Sequence, residues 1–296
     1  MVVGLVGCGN WGRHILRDLI ALGCDVPVVA RSRESVARAE EGGAAAIVAD
    51  IASLSALDGA VVATPATTHA AVVEELLGRE VPVFCEKPLT DDPIAAERLA
   101  ALAPHRLFVM DKWRYHPAVL ELGAIVRERR LGTVSGIRTL RVGGNPHEDA
   151  DPVWVLAPHD LAIGLEIFGA LGQPEAAVAE WRDGAAMLLS GILRGDGWWH
   201  TVEVSSRSAI RKRSVELVCD EGVAVLADGW DEHVTIYRHG ADGIREERIE
   251  TPGELPLLAE LRAFVEHLGG GPAPRSSAAE GAAVVSTIAK LRALAA

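Results

Sequence analysis

The chain has 296 residues, enough for two hydrophobic cores, and 41 acidic residues against 29 Lys plus Arg give it a formal charge of −12. That balance argues against nucleic acid or an anionic membrane surface as a partner. Four cysteines (Cys8, Cys24, Cys85, Cys219) show neither a CxxC pair nor disulfide spacing, no signal peptide precedes the first strand, and no apolar run could span a bilayer; a reducing cytoplasm is the expected compartment.

Residues 2–6 read as a buried strand and lead into Gly7-Cys8-Gly9-Asn10-Trp11-Gly12. Ile15, Leu16, Leu19, Ile20 and Leu22 then share one face of a predicted helix that Gly23 stops, and residues 26–30 form a second strand. Strand, glycine turn and helix are the context in which GxGxxG binds a dinucleotide. The glycines allow a tight turn and close approach of the backbone to pyrophosphate, and free N–H groups at the helix start meet its charge. For Trp11, packing and ligand contact both remain open. The second strand ends in Ala30-Arg31-Ser32-Arg33 with no carboxylate. A 2′-phosphate would take charge-assisted bonds from Arg31, with Ser32 and Arg33 beside it, so NADP is expected over NAD.

Strands at 60–63, 81–85 and 107–110 alternate with helices at 66–77, 93–102 and 117–129, the rhythm of a doubly wound parallel sheet. The third of these strands leads into Asp111-Lys112-Trp113-Arg114-Tyr115-His116-Pro117. Carboxyl ends of such strands face the ligand crevice, so Lys112, Trp113 and Tyr115 are candidate substrate contacts, with Arg114 paired to a carboxylate at the domain junction. The strand before it ends in Phe84-Cys85-Glu86-Lys87-Pro88, and Lys87 is one of four lysines beside 25 arginines. Arginine cannot give up its proton in a protein, so a proton-trading long cation must be lysine.

From Gly132 the rhythm changes to strands at 134–142, 176–181, 186–193, 198–205, 213–218, 223–226 and 234–237. A helix at 158–168 interrupts them, and helices at 256–268 and 278–294 end the chain. Trp198 and His200 are placed on one strand face and Trp199 on the other, as core and subunit interface. The expected architecture is an α/β Rossmann domain with a doubly wound parallel sheet over residues 1–117, then an α+β domain with a large, mostly antiparallel sheet over 118–296, the C-terminal helix packing back on the first. His147 and His159 have acidic neighbours but no metal-ligand spacing, and no metal is expected.

Along its whole length the chain resembles the Gfo/Idh/MocA oxidoreductases, mostly NAD(P)-dependent enzymes of sugars and cyclitols. The resemblance is carried by the glycine turn, Ala63-Thr64-Pro65-Ala66-Thr67-Thr68-His69, Cys85-Glu86-Lys87-Pro88, Arg114-Tyr115-His116-Pro117 and Leu156-Ala157-Pro158-His159-Asp160. It implies that Thr64, Pro65, His69, Glu86 and Lys87 border the coenzyme, that Lys87 is aimed at the reacting carbon, and that His159 faces the substrate. It also implies a homodimer or homotetramer through the second sheet. One departure stands out: an Asp common in the family four residues before the His is Val155 here. Asp160 points about 100° away from His159 on a helix and reads as an acid in a first turn behind Pro158; Asp151, in the loop 145–152, is another acid near this position.

The expected activity is hydride transfer between nicotinamide and a hydroxyl or carbonyl carbon of a sugar, nucleotide-sugar or cyclitol, in the reductive direction. A positioned acid–base contributes roughly 10²–10⁴ in rate. Lys87 trades the proton with His159 orienting the substrate, or the roles are reversed; both assignments stand. Reduction of an imine and a non-catalytic dinucleotide-binding regulator are the alternatives.

Overall fold

Short apolar runs, each bounded by a turn and followed by an amphipathic helix, build the first half of the chain. The computed structural model describes residues 1–143, 151–241 and 243–296; the expectation for His147 lies outside these residues. In chain order come β1 (Val3–Val6), α1 (Gly12–Ala21), β2 (Pro27–Val29), α2 (Arg33–Glu41), β3 (Ala46–Val48), β4 (Gly59–Val62), α3 (Ala66–Leu77), β5 (Val83–Glu86), α4 (Pro93–Leu102) and β6 (Leu107–Met110). They form one six-stranded parallel sheet in the order β3-β2-β1-β4-β5-β6. β1, β4, β5 and β6 are buried at every position, as strands covered on both faces require. Strand order reverses between β1 and β4, so the carboxyl ends of β1, β4, β5 and β6 converge on the crevice at the switch point.

A 3-10 turn (Lys112–Tyr115) leads to α5 (Pro117–Arg127), β7 (Val134–Val142), α6 (Pro152–Phe168), β8 (Gln173–Arg182), β9 (Ala185–Arg194), β10 (Trp199–Ser205), β11 (Lys212–Cys219), β12 (Gly222–Leu226), β13 (His233–Gly240) and β14 (Gly243–Glu250). α7 (Pro256–Leu268) and α8 (Ala278–Leu294) follow. The eight-stranded sheet runs β14-β13-β12-β11-β7-β10-β9-β8 and is antiparallel except where β10 lies parallel to β7. α5 packs on β12 and β13, and α6 on β7, β9 and β10. Alternation in β7 follows: Ile137, Thr139 and Arg141 are buried, whereas Arg138 is exposed and pairs with Glu216.

The chain divides into two compact units, residues 1–112 with 255–285 and residues 113–254 with 286–296. The sequence sets 1–117 against 118–296; in the structure α7 and the first half of α8 return to the first unit. Leu257, Leu261 and Phe264 join its core with Leu5, Phe84 and Phe108, and the Phe264 ring stacks on Phe84 at 5.0 Å. No helix among the described residues is long and apolar enough to cross a membrane.

Three elements escape the sequence pattern. α2 buries Ala39 alone, β3 buries no residue fully, and β14, with sequence GIREERIE, is an edge strand exposed at all but one position. Each lacks the apolar period by which an element is recognised. A fourth differs in extent: α6 begins at Pro152 and not at Pro158, with Asp151 as N-cap and Pro158 inside the helix. Trp198 precedes β10 and stacks on Phe168 at 4.0 Å, while His200 on β10 is buried and meets the Thr139 hydroxyl at 3.0 Å.

Candidate functional site

β1 delivers the glycine turn, and the three glycines have different reasons to be glycine. Gly7 has φ +98° and a Cβ there would lie 2.7 Å from the Ala63 carbonyl oxygen; at Gly12 it would lie 2.3 Å from the Gly7 carbonyl oxygen. Both are demanded by the protein's own packing. Gly9 is different, since a Cβ there would meet no atom within 4 Å. The turn holds open space in front of Gly9, Asn10 is exposed beside it, and Trp11 at the N-cap of α1 gives the helix start no side-chain acceptor. An uncapped helix N-terminus behind a gap without side chains fits a pyrophosphate.

The end of β2 presents Arg31, Ser32 and Arg33, all exposed. Ser32 caps α2 by accepting the Ser35 N–H at 3.1 Å, and Arg31 donates through Nε to the Ala49 carbonyl at 3.0 Å. The Ser32 hydroxyl oxygen thus has a structural partner that the sequence did not reveal.

After β4, Thr64 and Pro65 start α3, and the Thr68 hydroxyl bonds Thr64 Oγ1 at 2.8 Å. His69 sits behind this turn. It is 1% exposed, and its two ring nitrogens lie 2.9 Å from the carbonyl oxygens of Pro88 and Thr64. Its imidazole, expected beside the coenzyme, ties the Thr64 turn to the Lys87–Pro88 turn.

β5 ends in Glu86, which is buried. Its Oε1 accepts the Trp11 indole N–H and its Oε2 accepts the backbone N–H of Lys87 at 3.0 Å. Trp11 is therefore held by its polar edge while its ring carries the Lys112 ammonium, 4.5 Å from the ring centroid. Lys87 is half-buried at the strand tip. One carboxylate thus braces both the glycine turn and the lysine backbone. The cysteines are free and buried, and burial pushes the Cys85 thiol well above its ordinary value, so it is no nucleophile. Among the described residues no group of three or more His, Cys, Asp and Glu could hold a metal ion.

In the second unit, α6 is buried from Pro152 to Ile167 except at Trp154, Val155 and His159. Val155 and His159, one turn apart on the same helix, are both partly exposed. Asp160 lies elsewhere. It is 1% exposed and accepts from Arg141 Nε at 2.7 Å. Its reading as a first-turn acid is overturned, because the helix starts earlier and Asp160 anchors α6 to β7. Asp151 is used likewise: it accepts the N–H groups of Val153 at 3.0 Å and Ala186 at 2.9 Å, and pairs with Arg292 at 2.6 Å.

Trp113, expected at the substrate, is 7% exposed and packs in the core of the second unit. Its ring stacks on His116 at 5.1 Å, lies under the Arg141 guanidinium at 4.3 Å and is tilted against His159 at 6.5 Å. Its ring is thus taken by His116 and the Arg141 guanidinium. Arg114 pairs with Glu166 at 3.3 Å, both buried, so its carboxylate partner lies within the second unit and not at the expected domain junction; Tyr115 is half-buried.

Glu260 went unnoticed in the sequence because it lies in an ordinary amphipathic helix. Its signal was the spacing Leu257, Glu260, Leu261, Phe264, which puts a carboxyl on the core face of α7.

Residues 1–109 match the model of the Gfo/Idh/MocA family, an oxidoreductase family with an NAD-binding Rossmann fold. Over 47% of the chain and 45% of its partner, the sequence is 34% identical to myo-inositol dehydrogenase Hyg17 of Streptomyces leeuwenhoekii. Over 90% of the chain and 88% of its partner, it is 26% identical to UDP-N-acetylglucosamine 3-dehydrogenase of Acidithiobacillus ferrooxidans. The solved structure of that enzyme superposes with a TM-score of 0.86, covering 99% of this chain and 97% of the other. Levoglucosan dehydrogenase in complex with NADH and levoglucosan superposes with a TM-score of 0.90 at 15% identity, covering 100% and 97%.

Proposed function

We propose that the chain, whose residues 1–109 match the Gfo/Idh/MocA oxidoreductase family, is an NAD(P)-dependent oxidoreductase of that family and uses NADP to interconvert a hydroxyl and a carbonyl on a sugar, nucleotide-sugar or cyclitol, in the reductive direction. Its relatives are named for myo-inositol, UDP-N-acetylglucosamine and levoglucosan, all polyhydroxylated compounds. The observation that carries the reading is the bracing of Lys87: Glu86, clamped by Trp11, takes the lysine's own backbone N–H and so ties the strand tip to the glycine turn.

Bound nicotinamide would supply the hydride acceptor or donor; the protein supplies position and a proton. Gly7, Gly9, Asn10, Trp11 and Gly12 would hold the pyrophosphate turn, and Thr64, Pro65 and Glu86 the riboside. Lys87 exchanges a proton with the substrate oxygen, and His159, steadied by Trp113, orients that oxygen; exchange of these two roles is the second assignment. Lys112 and Tyr115 are the remaining candidate substrate contacts. Val155 presents a methyl surface where a carboxylate would bind a hydroxyl, which favours a substrate with an apolar or deoxygenated face there. Absence of a carboxylate at Ala30 and exposure of Arg31 and Arg33 support NADP. The open face of the second sheet, with Ile192 and Val178 exposed, is the expected surface for another copy of the chain.

The test combines binding and turnover. Lys87→Ala is expected to bind NADPH with wild-type affinity and to lose keto-sugar-dependent oxidation of NADPH by at least about a hundredfold. Turnover within a fewfold of wild type would reject Lys87 as the proton carrier, and tighter binding of NADH than NADPH would reject the coenzyme preference.

A further inference from the structure

Glu260 occupies a position where an ionised side chain has no natural support. α7 directs Leu257, Glu260, Leu261 and Phe264 into the first unit, and Glu260 is 1% exposed. Its Oε2 has no hydrogen-bond partner among the described residues. A carboxylate there would lose hydration with nothing equivalent in return. Burial is the largest influence on this carboxyl, followed by repulsion from Glu86 and Asp111; Lys112 and Lys87 act in the opposite sense, and the balance holds it well above the usual carboxylate range. Burial thus favours the neutral form of this carboxyl, which feels the charges of Glu86, at the end of β5, and of Lys87, Asp111 and Lys112, just past the ends of β5 and β6. Two lysines and two carboxylates balance formally, so ionised Glu260 would leave that set one charge negative.

We propose that Glu260 is a proton store for hydride transfer, a neutral acid while the bound nicotinamide is uncharged and a carboxylate when the ring is cationic. The proposal rests on the coenzyme and Lys87 reading above. A positive charge arriving at the ends of β5 and β6, where screening by water is weak, lowers the proton affinity of a facing acid. In alcohol oxidation the Lys87 ammonium hands its proton to the Glu260 carboxylate and, as the neutral amine, takes the substrate O–H proton, while the C–H bond would give its electron pair and hydrogen to the bound coenzyme as hydride. Loss of the ring's positive charge would leave Glu260 the stronger base, so it keeps the proton received from Lys87. In carbonyl reduction Glu260 returns it. Glu260 acts through Lys87, as a positioning residue, and the store lets the half-buried lysine reset from within the protein.

Proton counting during binding tests this without any substrate. Calorimetric titration of the full chain at pH 7, in buffers of different ionisation enthalpy, reads protons released on binding NADP+ and, separately, NADPH. The two share every phosphate and ribose, so their difference isolates the ring charge. Wild type is expected to release a clear fraction of a proton per site more with NADP+, and Glu260→Gln to bind both forms with that difference reduced to zero. Glu260→Met, compatible with the leucines around it, carries the same expectation should the amide unfold the chain. Equal release by both forms in wild type, or a difference that survives in Glu260→Gln and disappears in Lys87→Met, overturns the proposal and leaves the coenzyme reading intact. Failure of wild type to bind either dinucleotide overturns that reading, and the store falls with it.

Discussion

Replacement of Gly9 by alanine separates what the protein needs from what a ligand needs. A Cβ at Gly9 meets no atom within 4 Å, and the backbone there lies outside the left-handed region, so the methyl enters free space. Reduced freedom of the unfolded chain should then stabilise Gly9→Ala by about 0.4–1 kcal/mol. The same change at Gly12 puts the methyl 2.3 Å from the Gly7 carbonyl oxygen, a contact that forces the turn apart. For a pyrophosphate in front of Gly9 the methyl is an obstacle. Loss of one charge-assisted hydrogen bond to a backbone N–H costs about 1.5–3 kcal/mol, roughly ten- to a hundredfold in Kd. Fluorescence titration with NADPH, paired with thermal melting, reads both quantities. The expected result is a Gly9→Ala protein at least as stable as wild type that binds NADPH ten- to a hundredfold more weakly. Wild-type affinity in that variant would refute the assignment of the gap to phosphate, and a lower melting temperature would refute the account of why glycine stands there.

Two predictions concern the second unit. Asp160 and Arg141 pair at 2.7 Å with side chains 1% and 5% exposed; Asp160→Asn strands a buried guanidinium and should cost about 3–5 kcal/mol by chemical denaturation, whereas a loss below about 1 kcal/mol would contradict so buried a pair. His200 is fully buried, and burial lowers its pKa from 6.5 to about 3. The unfolded chain binds this proton below about pH 6.5 while the folded chain does not, so the stability His200 contributes is complete above that pH and is lost as pH falls toward about 3. Wild type should lose roughly 1.4 kcal/mol per pH unit more than His200→Gln in that window, and parallel stability curves would show the imidazole to be solvated.

Local chemistry made much of this protein readable in advance. GxGxxG after an apolar strand, Glu86-Lys87-Pro88 at the tip of another, and helices whose apolar residues recur every three or four positions each carry their meaning within a dozen residues. For that reason the parallel sheet, the mostly antiparallel second sheet and the helices 66–77, 93–102, 256–268 and 278–294 were legible. The sequence places the start of α6 six residues late because Pro158 has the form of a first-turn proline, although Asp151-Pro152 is the stronger start signal.

What the chain order concealed was decided by distant partners. His69 reads as a coenzyme contact until the carbonyls of Thr64 and Pro88 close around it. Trp113 reads as a substrate platform until Arg141 covers its face, and Asp160 as a helix-end acid until that same arginine claims it. Glu260 lies far along the chain from Glu86, and only the return of α7 to the first core sets its carboxyl among residues from β5 and β6. A residue type specifies which bonds and charges are available. Burial and the groups brought against it across long chain separations determine whether that capacity serves a ligand or the fold, because desolvation and Coulomb energy depend on spatial neighbours.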